Sequence, residues 1–152
     1  MKHVKGFLLP NEPTCIAACT TAEARFWRSE SRFGAWTALG ILENEEATLS
    51  DRDLVSDRPG RSFDSFGSGR HAMAPRESAQ ETELKRFAKH VADWLDKVIT
   101  EGTVHRVVLI CDPRFLGILR PALSAKTGHA VILEVPKNPG GLDQQQLQAG
   151  FA

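Results

Sequence analysis

The sequence predicts an α/β fold with a mixed sheet flanked by helices, and three observations carry that prediction. Strand-like runs crowd the first third of the chain and helical and strand-like stretches alternate afterwards, the order expected when antiparallel strands are followed by parallel βα units. Leu84, Phe87, Ala88, Val91, Leu95 and Val98 recur at spacings of three and four, which marks a long amphipathic helix. Val104–Ile110 is a β-branched run without alternation, as suits a strand covered on both faces.

Taken in order, Thr14–Trp27 reads as a strand, a tight break near Thr20 and Thr21, and a second strand, together a hairpin. The small apolar residues before the break suit a central strand. Trp36–Leu42 is the third strand, preceded by Gly34 and followed by the acidic group Glu43, Glu45 and Glu46. After a long irregular stretch, Ser78 and Glu81 form a capping box that opens the amphipathic helix, and Gly102 closes it as a left-handed cap. The Val104–Ile110 strand follows. Asp112 caps the next helix with Pro113 in its first turn, and Phe115, Leu116, Leu119 and Leu123 line one face as far as Gly128, with Pro121 kinking or shortening it. His129–Val135 is the last strand and Pro136–Gly141 a loop. Asp143 and Gln146 make a second capping box, opening a short helix through Gln148. No internal repeat or linker interrupts the chain, so residues 1–152 are expected to form a single domain with a long functional loop at about 50–77.

Composition narrows the function classes. A hydrophobic content of 41% and a charged content of 25% are ordinary for a globular domain. Nineteen basic and nineteen acidic side chains cancel, so any grip on nucleic acid or an anionic surface must be local. No apolar run reaches the length of a membrane span and the N-terminus has no secretory apolar region, which predicts a cytoplasmic protein without membrane insertion. Cys15, Cys19 and Cys111 are odd in number and lack zinc spacing, so they are expected as buried thiols, with no metal required. No Walker sequence is present, and Gly67-x-Gly69 lacks both the preceding strand and the third glycine of a dinucleotide fingerprint, so no cofactor is expected. Cys111-Asp112-Pro113-Arg114 invites a phosphate-loop reading, but Gly117 stands where the arginine of such a loop is needed. Trp27, Trp36 and Trp94 read as packing residues, and a shared apolar edge would allow a homodimer.

Function is expected in the irregular stretch Asp51–Met73, DRDLVSDRPGRSFDSFGSGRHAM. Pro59, Gly60, Gly67 and Gly69 exclude a regular helix, and no hydrophobic period runs through it. Five arginines and no lysine lie between Arg52 and Arg76, a bias that favours geometric recognition of phosphate over diffuse attraction. Arg58, Arg61 and Arg70 are the candidate phosphate contacts, Gly67 and Gly69 allow close backbone approach, and His71 sits at the tip, where its near-neutral pKa would suit acid–base work. Asp51, Asp53, Asp57 and Asp64 are expected to order the loop by pairing with the arginines, and Phe63 and Phe66 either pin it to the body or stack on bases.

The run DRDLVSDRPGRSFDSFGSGRHAM, the helix containing RFAKHVADWLD and the later VVLICDPRFLGILRPAL resemble the bacterial host attachment protein family over nearly the whole chain from about Cys15. That family is similar in turn to the middle domain of archaeal and eukaryotic peptide-chain release factors. The resemblance implies a ribonuclease H-like three-layer domain in which a loop carrying Gly-Gly-Gln precedes a long helix and a hydrophobic strand. Here Gly67-Ser68-Gly69-Arg70-His71 occupies the corresponding position, with Arg70 or His71 where the glutamine would be. The resemblance therefore implies a release-factor-like protein that binds ribosomal or tRNA-like RNA, without carrying over peptidyl-tRNA hydrolysis. The alternatives are an adaptor that supports attachment to host cells through a protein partner and an esterase-like hydrolase using His71.

Overall fold

The structure, a computed structural model, describes residues 7–46 and 79–151. Among the described residues five strands form one mixed sheet: β1 (Thr14–Cys19), β2 (Glu23–Ser29), β3 (Trp36–Glu43), β4 (Arg106–Cys111) and β5 (Val131–Val135), in the order β3-β2-β1-β4-β5. β1 pairs antiparallel with β2 and β2 with β3, whereas β1–β4 and β4–β5 are parallel. The α/β prediction and its mixed sheet are borne out. β1 is central because Thr-Cys-Ile-Ala-Ala-Cys is small and apolar on both faces, and every residue of it is buried.

Helix α1 covers residues 79–100. It is followed by α2 (Pro113–Leu119), a 3₁₀ turn at Arg120–Ala122, α3 (Ala125–Ala130) and α4 (Gln144–Ala149). One face of the sheet buries Cys15, Ala17, Phe26 and Leu109 against Phe87, Val91 and Leu95 of α1 and Phe115 and Leu119 of α2. The other buries Ile16, Trp27, Trp36 and Val108 against Leu147 of α4, Phe151 and Leu9. Three layers result. Two glutamine amides fasten α4, Gln144 donating to the Trp36 carbonyl and Gln148 to the Gly34 carbonyl, each at 3.0 Å.

The caps explain where the helices stop. Gly102 has φ 78°, and the Thr103 and Gly102 amides donate to the Val98 and Ile99 carbonyls, so α1 ends in the left-handed motif expected of that glycine. Asp112 caps α2, and Asp143 with Gln146 forms the predicted capping box of α4. The helix expected to run from Asp112 to Gly128 is instead two helices. Pro121 falls in the 3₁₀ turn, and the Ser124 hydroxyl accepts from the Thr127 amide at 3.1 Å to start α3. Gly128 is therefore inside a helix rather than at its end, and His129 and Ala130 belong to α3, so the last strand begins at Val131. Ser124 and Thr127 both donate to the Asp96 carboxylate, at 2.8 and 3.3 Å, which pins α3 to α1.

Candidate functional site

The residues singled out for binding, Arg58, Arg61, Gly67, Gly69, Arg70 and His71, lie outside the described residues, as do Asp51, Asp53, Asp57, Asp64, Phe63, Phe66 and the Ser78 cap. What the structure does define is the scaffold from which residues 47–78 depart and to which they return. β3 runs in the same direction as β1 and β4, because Cys19 pairs with both Ala24 and Cys111 and Glu23 pairs with Glu43. The segment therefore leaves from the carboxyl edge of the sheet, where ligand sites of open α/β sheets gather.

Thr20, at the expected break, and Asn44, which the sequence did not single out, build this edge. The Thr20 hydroxyl accepts from the Ala22 and Glu23 amides, each at 3.1 Å, and shapes the β1–β2 turn. Asn44, nearly buried, bonds back to that turn, its amide donating to the Ala22 carbonyl at 2.8 Å and its side chain to the Thr21 carbonyl at 2.9 Å. The end of β3 is thus fixed to the hairpin before the chain departs. The signal was an asparagine just past a strand, a residue type suited to tying down local backbone.

Beside this anchor, Glu43, Asn44, Glu45 and Glu46 face Glu83, Arg86, Phe87 and His90 of α1 across a cleft of ≈ 320 Å³. Glu83, Arg86 and His90 share a helical face by their spacing of three and four. Arg86 and Glu46 form an ion pair between α1 and the last residues described before position 47. Four carboxylates against one guanidinium make the cleft electronegative. It suits a basic group and repels phosphate.

At the centre of the same edge, Cys19 and Cys111 are register partners, and interaction with the Cys111 side chain, then burial and the nearby Cys15, raises the Cys19 pKa well above its ordinary value. Burial alone pushes Cys15 up. All three cysteines are free and buried, as expected. Asp112 is half-buried, and its side chain is used as a helix cap, accepting from the Arg114 amide at 3.4 Å. Among the described residues no cluster of three or more His, Cys, Asp or Glu has a metal-holding arrangement, and no helix is long and apolar enough to cross a membrane.

The family described as "Protein required for attachment to host cells" matches the chain over residues 15–150. The chain belongs to that family. The match takes in all five described strands but for Thr14 at the start of β1, together with the cleft and the whole Asp/Arg/Gly-rich stretch. No curated protein matches the chain.

Proposed function

We propose that this host attachment family member is a release-factor-like binding protein, with residues 51–73 contacting ribosomal or tRNA-like RNA. The observation that carries the reading is the route of the chain: residues 47–78 join the carboxyl end of β3 to α1, and α1 leads into the buried strand β4. An Asp/Arg/Gly-rich segment, a long helix and a hydrophobic strand follow one another in the order expected from the release-factor middle domain, and the strand order β3-β2-β1-β4-β5 supports a ribonuclease H-like scaffold. Arg58, Arg61 and Arg70 would bind phosphates as forks, with Gly67 and Gly69 allowing close approach. The proposal stops at binding, because Arg70-His71 stands where the hydrolytic glutamine would be.

The test is co-sedimentation with ribosomes from the protein's own cell extract, comparing wild type with Arg61→Ala/Arg70→Ala at low and moderate salt. Loop-dependent association that weakens with salt is the expected result. Absence of co-sedimentation under every condition would overturn the reading. A second reading, an adaptor for attachment to host cells, is favoured by the family's description and by the electronegative cleft, which suits a basic protein partner. Salt-insensitive capture of a protein that is lost on Glu43→Gln/Glu83→Gln substitution would put that reading first.

A further inference from the structure

We propose that Cys19 and Cys111 form a reversible cross-strand disulfide, a redox-sensitive bond at the carboxyl edge of the sheet. The two residues are direct partners in the parallel β1–β4 register and both side chains belong to the core facing α1 and α2. Neighbouring strands lie about 4.8 Å apart. That separation falls within the roughly 4.4–6.8 Å between Cα atoms that a disulfide spans. The Cys111 side chain is also close enough to raise the pKa of the Cys19 thiol. Cys15 is excluded as a partner: it pairs with Val107, and four residues along β1 carry it about 13 Å from Cys19.

The co-reactant is a peroxide, an oxidant small enough to reach strand ends during local opening. One cysteine, as its thiolate, attacks the O–O bond; the sulfur gains a hydroxyl, and the departing hydroxide takes up the thiol's proton as water. The second sulfur then attacks the sulfenic sulfur. The S–S bond forms, the S–O bond breaks, and the hydroxyl leaves with the second thiol's proton as another water. Two electrons pass from the sulfurs to the peroxide. The raised pKa of the Cys19 thiol keeps its reactive thiolate scarce, so the reaction is slow at neutral pH and quickens as pH rises. In-register parallel side chains must be drawn together to bond, and that strain makes the bridge easy to reduce.

The experiment treats the intact chain under native conditions at about pH 8 with hydrogen peroxide. Remaining thiols are alkylated on unfolding, the protein is digested without reductant, and the peptides are identified by mass spectrometry. The expected product is a single intrachain Cys19–Cys111 link with Cys15 alkylated, absent after dithiothreitol and retained in Cys15→Ala. Recovery of Cys19 and Cys111 as free thiols or sulfinic acids, a link that includes Cys15, or links only between chains would each overturn the proposal.

Discussion

A thiol that keeps its proton in the core and loses it in the unfolded chain makes stability fall at alkaline pH. Burial raises the Cys15 pKa above its ordinary value of 9.0. Between the unfolded and folded pKa values the folded state holds the extra proton, so the contribution is complete below about pH 9 and declines above it. The slope is about 1.4 kcal/mol per pH unit for each such thiol. Cys15→Ala should therefore flatten the loss measured by urea unfolding above about pH 9 by about that amount per unit. Parallel pH curves for variant and wild type would refute this. Phe26 stacks on Trp94 with centroids 3.8 Å apart and an angle of 17°, and it is buried between β2 and α1. Phe26→Ala should cost about 3–5 kcal/mol in denaturant unfolding. At this scale the sequence was legible wherever a side chain has one natural environment: three cysteines without zinc spacing are buried, and the tryptophans pack. Asn44 and Glu46 were not legible, because their roles depend on neighbours far along the chain, the Thr20 turn and Arg86.

Caps and glycines tell the story of the elements. Ser78 lies outside the described residues, but Gly102, Asp112 and Asp143 each sit at a helix boundary where the sequence had put one. Each is a local signal, needing only three or four neighbours along the chain. The division into α2 and α3 was missed because Phe115, Leu116, Leu119 and Leu123 continue one apolar stripe through Pro121, while Ser124 gives the stronger signal of a fresh start. Gly128 separates the two interpretations. As a left-handed helix stop it would resist a side chain, whereas inside α3, with an ordinary φ and open space at its Cβ position, Gly128→Ala should stabilise the fold by about 0.4–1 kcal/mol. Gly102→Ala should do the opposite. Nothing crowds its Cβ position, so the cost of about 1–2 kcal/mol is purely that of holding φ 78° with a side chain present. Thermal or urea unfolding of both variants distinguishes these outcomes by sign.

Across the whole molecule, the sheet concentrates the ends of β1, β3 and β4 on one edge, and it is after β3 that the chain enters residues 47–78, the span that holds its arginine-rich, glycine-rich stretch. The strand types were legible because antiparallel hairpins and βα units leave different spacings in sequence. The edge itself was not, because it arises from strand order, which brings Glu43 beside Glu83 through the intervening chain. Formal neutrality of the chain hides an opposition of charge type: the Arg52–Arg76 stretch carries five arginines, whereas four carboxylates line the cleft. On the RNA-binding proposal this opposition makes a quantitative demand. Each arginine–phosphate contact on single-stranded RNA adds about 0.7 to the slope of log affinity against log salt, so Arg61→Ala/Arg70→Ala should make that slope shallower by about 1.4. Glu43→Gln/Glu83→Gln, which removes repulsion without removing a phosphate contact, should strengthen binding at low salt and leave the double-arginine effect intact. Replacing residues 51–73 with a Gly/Ser linker should abolish binding while the two cores built by residues within 7–46 and 79–151 keep the fold cooperative in urea. Retained salt-dependent binding in the linker variant would move the RNA contact off this stretch and onto the scaffold.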